Sequence, residues 1–121
     1  DFVLGKVSEA VLSIGKEREE LIIACLGLAF KPDIDDLRES PALAIAQQVG
    51  VMGFAQLILV EPNISEIPQG FDREVTKFLD LEAALLEADL VLLLVDHTPF
   101  KEMDLSLLSG KQVVDTRGVW V

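Results

Sequence analysis

The sequence predicts an α/β domain: a Rossmann-like, doubly wound parallel sheet of about five strands, preceded by an N-terminal helix. Continuous apolar runs at 21–28, 57–60 and 90–95 are typical of strands buried on both faces of a parallel sheet. Helix start signals lie between these runs. Strands that alternate with helices imply right-handed crossovers and one sheet.

The first half of the chain begins with apolar residues at helical spacing over 3–14, and Gly15 is placed to end that helix. The first strand, 21–28, leads into a polar loop of about ten residues, where a strand-to-helix loop usually has 2–6. Ser40 is a good N-cap and Pro41 fits the first helical position, so a helix is predicted that ends by Gly50 or Gly53.

The second half repeats the alternation. A buried strand is predicted at 57–60, and a short edge strand at 75–79. Asp80 is placed to cap a helix over 81–87, where apolar residues recur one turn apart. The third apolar run, 90–95, is the next strand.

Thr98 is predicted to be the N-cap and Pro99 the first residue of a short helix, and the last strand is predicted at 112–115. Residues 1–18 are predicted to be a lead-in helix from a preceding region, and 19–121 to be the domain itself.

The size and charge of the chain argue against some classes of binding partner. The 121 residues suffice for one domain, and a net charge of −11 argues against nucleic acid or a membrane surface as a partner. No apolar run reaches the ~18 residues that span a bilayer. The single cysteine cannot form a disulfide within the chain, so the predicted location is the cytoplasm.

Three cations follow strands whose carboxyl ends should share one edge of the sheet, the usual ligand crevice of this architecture. Lys31 and Arg38 lie on the loop after the first strand, and Arg117 follows the last. Together they could neutralise a diphosphate. Pairing of Lys31 and Arg38 with the acids of their own loop is an equally supported alternative. In a mixed case, acids shape the loop and one or two cations stay free.

A dinucleotide site in this domain is not predicted. The G-x-G-x-x-G fingerprint is absent; only Gly27 is present, and Phe30 and Lys31 fill the space with bulk. Glu61 looks like a ribose-binding acid, but it follows Gly27 by 34 residues rather than ~20, and it is interpreted as a loop residue.

No catalytic residue or metal site is predicted. Cys25 lies within an apolar strand and is expected to be buried and inert. His97, with no evident partner base, is interpreted as a satisfied loop or cap residue rather than a catalytic one. Trp120 is expected to pack.

The loop residues also carry a family resemblance. The strings Gly-Leu-Ala-Phe-Lys-Pro (27–32) and Asp-Asp-Leu-Arg-Glu-Ser-Pro (35–41) resemble the start of the C-terminal, UDP-binding domain of the UDP-glucose/GDP-mannose dehydrogenase family. Val-Glu-Pro-Asn (60–63), Val-Asp-His-Thr (95–98) and Val-Asp-Thr-Arg-Gly-Val-Trp (114–120) keep the family's order.

This resemblance implies a nucleotide-sugar dehydrogenase of polysaccharide precursor biosynthesis, which oxidises C6 of a UDP-sugar with NAD. It places NAD and the catalytic residues in missing N-terminal and central domains, implies a homodimer of the whole enzyme, and leaves the isolated chain inactive. Phe30 and Lys31 would contact the diphosphate and sugar, Arg38 would lie on the nucleotide side, and Arg117 would reach the active site. The alternative is a non-catalytic anion-binding or dimerisation module.

Overall fold

A computed structural model describes residues 2–120. Five parallel strands form one sheet in the order β3-β2-β1-β4-β5. This confirms the predicted fold class. The strand order reverses between β1 and β4, which are neighbours in the sheet. The strands are β1 (Ile22–Leu26), β2 (Gln56–Val60), β3 (Thr76–Phe78), β4 (Leu90–Leu93) and β5 (Gln112–Asp115), and the helices are α1 (Phe2–Ile14), α2 (Pro41–Gly50), α3 (Leu81–Glu87) and α4 (Thr98–Glu102).

Helices cover both faces of the sheet, as alternation along β1 requires. Ile23 and Cys25 belong to a core cluster that includes residues of α1 and α2. Ala24 and Leu26 point the other way, into a second cluster with residues of α3 and with Phe100 of α4. Successive side chains of a strand lie on opposite faces, so the unbroken apolar run serves two cores.

The lead-in helix α1 contributes directly to the first of these cores. Its buried residues Val7, Ala10 and Val11 pack with β1 and α2. Gly15, with φ 79°, follows the helix in the left-handed region, as the sequence indicated. Assignment of residues 1–18 to a preceding region remains a prediction.

Two central strands end earlier than predicted. At 21–28 the strand ends at Leu26, because Gly27 turns with φ 95° after a last ladder bond from its N–H to the carbonyl of Val60. At 90–95 it ends at Leu93, because the N–H of Val95 shares the carbonyl of Leu26 with the N–H of Leu94 and does not continue the ladder. The chain thus leaves the ladder where the carboxyl edge begins.

Two short 3-10 turns, Arg18–Glu20 and Leu105–Leu108, were not predicted. The N-caps predicted at Ser40 and Asp80 are confirmed, since both side chains accept from a backbone N–H of the first turn. No helix within residues 2–120 is long and apolar enough to cross a bilayer.

Candidate functional site at the carboxyl edge of the sheet

The loop of residues 27–40 leaves β1 at the strand-order reversal and crosses the end of β4 closely. A Cβ placed on Gly27 would lie 2.6 Å from the Cβ of Val95. Only glycine fits this approach, and its positive φ adds a second reason. At the far end of the loop, the buried Ser40 hydroxyl donates to the carbonyl of Leu28 at 2.7 Å, which closes the loop onto its own start.

Glu61, the first residue after β2, is buried and accepts five hydrogen bonds. Its Oε1 accepts from the N–H groups of Leu28 and Ala29 at 2.8 and 3.1 Å, and from Nε2 of His97 at 2.8 Å. Its Oε2 accepts from the backbone N–H and the side-chain amide of Asn63 at 3.0 and 3.1 Å. One carboxylate therefore joins the ends of β1, β2 and β4.

His97 continues this network to the middle of the loop. Its ring is fully buried, and Nδ1 accepts the N–H of Asp33 at 2.7 Å. A nitrogen that accepts carries no proton, so the hydrogen-bond pattern assigns the proton to Nε2, which donates to Glu61. The interpretation of His97 as a histidine with satisfied hydrogen bonds is confirmed, because both ring nitrogens have a partner. The expectation that His97 lacks a partner base is wrong, because Glu61 is that partner.

Asp33 anchors the same loop to the start of α4. Its carboxylate accepts from the Thr98 N–H at 2.8 Å and from the Thr98 hydroxyl at 2.6 Å. The prediction of Thr98 as the N-cap of α4 is wrong, because the helix begins at Thr98 and His97 occupies the N-cap position. His97 makes no side-chain cap, so Asp33 caps the helix from a distant part of the chain. Asp33 has φ 61°, an uncommon conformation for a residue other than glycine, which these contacts hold in place.

The pKa values of the two carboxyl groups follow from these contacts. Burial alone would raise the pKa of Glu61, but hydrogen bonds from His97, Leu28 and Asn63 outweigh burial and lower that pKa. Hydrogen bonds from the Thr98 hydroxyl and N–H lower the pKa of Asp33. Both groups are therefore held as anions that shape the loop.

The predicted ligand residues lie on the outer surface of this loop. Phe30 is 46% exposed, and its N–H donates to the carbonyl of Asp36 at 2.8 Å. Lys31 is exposed and makes no ion pair with any residue from 2 to 120. Arg38 is 90% exposed and forms a fork with Asp36, through Nε and Nη2 at 3.1 Å each, which raises the pKa of Arg38 and lowers that of Asp36.

Arg117 lies beyond β5, in a turn built by Asp115. The Asp115 carboxylate accepts the N–H groups of Arg117, Gly118 and Trp120. The Arg117 side chain is 44% exposed, with Nε 3.5 Å from the carboxylate of Asp96. This pair is more open than the Arg38–Asp36 fork, because a single long contact leaves the other guanidinium donors available.

Phe30 lines two cavities, each of which also contains one of the two arginines. A cleft of about 260 Å³ has Phe30, Pro41, Val95 and Arg117 in its lining. A second, more open depression of about 440 Å³ is lined by Phe30, Asp36, Arg38 and Glu39. The structure thus brings Phe30 together with Arg117 on one side and with Arg38 on the other. The mixed prediction fits best: acids shape the loop, Arg38 is paired and Lys31 is free.

The residues at the switch point bond to one another within the chain. The loop crosses this edge of the sheet, where the Asp33 carboxylate accepts from Thr98 on the first turn of α4. Glu61, the candidate ribose acid, is buried and saturated by its own chain. Sequence reasoning interpreted Glu61 as a loop residue and missed its role. The available signal was that Glu61 and His97 each follow an apolar strand that neighbours β1.

The remaining chemical candidates are structural. Cys25 is fully buried, and burial raises the pKa of its thiol to about 12, so the inert interpretation is confirmed. Trp120 is half-buried and donates Nε1–H to the carbonyl of Phe100 at 2.9 Å, as expected for a packing residue. Among residues 2–120, no three His, Cys, Asp or Glu side chains gather as a metal-ligand set.

Residues 24–121 match the UDP binding domain of the UDP-glucose/GDP-mannose dehydrogenase family. The chain belongs to this family. The match begins within β1 and includes the whole loop, the Glu61–His97 pair and Arg117. The family resemblance of the loop strings is therefore confirmed over most of the chain.

Individual relatives agree with this assignment. The chain is 44% identical over 120 residues to UDP-N-acetyl-D-mannosamine dehydrogenase of Salmonella typhi, covering 99% of this chain and 28% of that protein. It is 42% identical over 119 residues to NDP-N-acetyl-D-galactosaminuronic acid dehydrogenase of Ralstonia nicotianae, covering 98% and 27%. The chain thus spans little more than a quarter of the curated relatives it matches.

A solved structure shows the same fold. The UDP-D-ManNAc dehydrogenase of Pyrococcus horikoshii superimposes with a TM-score of 0.78 at 27% identity, covering 98% of this chain and 27% of that one. In that protein, the matching Rossmann-like fold makes up about a quarter of a longer chain.

Proposed function

We propose that this chain is the C-terminal UDP-sugar-binding domain of an NAD-dependent nucleotide-sugar 6-dehydrogenase in polysaccharide precursor biosynthesis. The observation that carries the proposal is the match of residues 24–121 to the family's UDP binding domain. Among substrates, UDP-N-acetyl-D-mannosamine is favoured, because 41–44% identical relatives bear that name. The related galactosaminuronic acid enzymes, at 42%, are the runner-up.

The role proposed for this domain is to position the substrate. Phe30 and Lys31 would contact the diphosphate and sugar, and Arg38 would lie on the nucleotide side. Arg117 would lie beside the diphosphate and reach from there toward the reacting end of the substrate. Binding energy gained on the UDP, far from the reacting carbon, holds that carbon in place for oxidation. Lys31 and the free donors of Arg117 supply the positive charge that a diphosphate needs in a chain of net charge −11.

The chemistry itself is proposed to lie outside this chain. NAD would be bound by an N-terminal domain, since the switch point here does not fit it, and the nucleophile would come from a central region. The whole enzyme is proposed to be a cytoplasmic homodimer. The chain of residues 1–121 alone should therefore reduce no NAD with any UDP-sugar, and measured turnover would contradict this division of labour.

The decisive experiment compares two lysines in the complete enzyme. Lys31→Ala should raise KM for the UDP-sugar about tenfold with a small change in kcat, because it removes a charge-assisted contact made to substrate and transition state alike. Lys16→Ala is the matched control, because Lys16 is also exposed and makes no ion pair with any described residue from 2 to 120. It precedes β1 and so lies toward the amino edge of the sheet. An unchanged KM for Lys31→Ala would overturn the proposal.

One observation favours the alternative, a non-catalytic anion-binding or dimerisation module. Arg38 and Arg117 each contact an acid of this chain, so their charge is already partly neutralised. That alternative predicts equal KM for Lys31→Ala and Lys16→Ala.

A further inference from the structure

The buried Glu61–His97 pair is left without a role by the proposed function. Both side chains are 0% exposed, so neither can belong to the surface that meets a ligand. They lie on the ends of β2 and β4, the two strands that flank β1. A buried carboxylate is costly unless hydrogen bonds satisfy it, which calls for an account of what this network holds in place.

Glu61 and His97 fix the backbone of the 27–40 loop at two points. Glu61 accepts the N–H of Ala29, and His97 accepts the N–H of Asp33. Only residues 30–32 lie between these two anchors, and they include Phe30 and Lys31. A segment this short, fixed at both ends, has few conformations left, so ligand binding would not have to order it.

The hydrogen bonds at the two ring nitrogens of His97 have different consequences. Nε2–H donates to Glu61 and stabilises a buried anion, which concerns the fold. Nδ1 accepts the Asp33 N–H and fixes the far anchor of the 30–32 segment, which concerns the loop geometry. Loss of the contact at Nδ1 alone should therefore disturb the placement of the loop without removing the contact that stabilises the fold.

We propose that Glu61 and His97 are positioning residues for the nucleotide sugar, and that neutral His97, protonated on Nε2, places Phe30 and Lys31 by accepting the Asp33 N–H. This inference rests on the proposed function and adds to it. Neither residue touches the substrate. Their effect on binding passes through the anchors of the loop.

Two substitutions in the complete enzyme separate the two contacts of His97. In His97→Gln the side-chain amide reaches the place of Nε2 and can still donate to Glu61, but the acceptor for the Asp33 N–H is lost. In His97→Asn the amide oxygen lies near the place of Nδ1 and can still accept from Asp33, but the donor to Glu61 is lost.

His97→Gln is expected to raise KM for the UDP-sugar about five- to tenfold, with kcat nearly unchanged. His97→Asn is expected to unfold at lower urea than His97→Gln and yet to keep the lower KM of the two. A purely structural role predicts the opposite order, because KM would then follow stability. Histidine ¹⁵N NMR of the wild-type protein should show the Nε2–H form.

Lys31→Ala, measured in the same series, keeps the two hypotheses apart. If Lys31→Ala raises KM while both His97 variants match the wild type, positioning by the pair is wrong and the proposed function stands. If Lys31→Ala leaves KM unchanged, the proposed function fails and the positioning role fails with it. A ring protonated on Nδ1 would overturn the assignment of His97 by itself.

Discussion

The two sides of the 27–40 loop differ in burial and in hydrogen bonding. The inner side faces the buried Glu61 and His97, to which the N–H groups of Leu28, Ala29 and Asp33 donate. The outer side presents Phe30 half-exposed and Lys31 unpaired. Under the proposed function, the inner side of the loop covers the switch point and the outer side is the part that would meet the ligand.

The largest effect is expected on the inner side. Glu61→Ala removes the acceptor of the Leu28 and Ala29 N–H groups and of His97, and should lower the free energy of unfolding by about 3–5 kcal/mol. The measurement is urea unfolding of the chain. Glu66→Ala, an exposed acid of the loop that follows β2, is the matched control and should change stability by less than about 0.5 kcal/mol. Similar small losses for both variants would show that the inner network does not hold the fold.

The second effect concerns the close approach at the start of the loop. Gly27→Ala places a Cβ 2.6 Å from the Cβ of Val95 at φ 95°, and should destabilise the fold by about 2–4 kcal/mol. Gly110→Ala is the control, since it shares a positive φ of 79° but has nothing within 4 Å of the added Cβ. The measurement is thermal unfolding of both variants. The difference between their losses of stability is the cost of the contact with Val95. Equal losses would mean that only the backbone angle matters at Gly27.

The positions of the strands and helices could be predicted from the sequence, but the contact between Glu61 and His97 could not. The apolar runs and the Ser40 and Asp80 caps gave strand and helix positions within a few residues, since local pattern decides them. The Glu61–His97 contact joins residues 36 apart in sequence. It depends on β2 and β4 both flanking β1, which is a property of the whole sheet.

The residues of the outer side were named from the sequence, whereas the contacts of the inner side were not. Phe30, Lys31, Arg38 and Arg117 were assigned from loop position and family resemblance, and the structure places Phe30 beside both arginines. The Arg38–Asp36 fork could only be left as an open alternative, because several acids of the loop were in reach and nothing in the sequence selects one.

On the outer side, the two arginines should differ. Arg117→Ala in the complete enzyme should raise KM for the UDP-sugar about tenfold, because its one 3.5 Å contact leaves donors free for phosphate. Arg38→Ala is the internal comparison and should change KM only about two- to threefold, because Asp36 already holds its fork. Steady-state kinetics measure both. A larger effect for Arg38 would reverse the assignment of which cation is available.

The smallest effect is a pH dependence of the inner side. The folded pKa of Glu61 is lowered, so its stabilising contribution is present above the unfolded value of about 4.3 and is lost as the pH falls through the folded value. The difference in unfolding free energy between wild type and Glu61→Ala should therefore shrink below about pH 4. Urea unfolding at several pH values checks this, and subtraction of the variant removes the titration of the other acids. A difference that grows toward low pH would contradict the sign.

The central claim is that the outer surface of the loop binds the UDP group while the inner side keeps its contacts. Its most direct test is a titration of the ¹⁵N-labelled chain with UDP, followed through its amide signals. The account predicts shifts at residues 30–38 and 115–118, with the Leu28 N–H, which donates to Glu61, left unchanged. Saturating UDP that leaves the 30–38 signals in place, or that shifts only signals far from this edge, would contradict it.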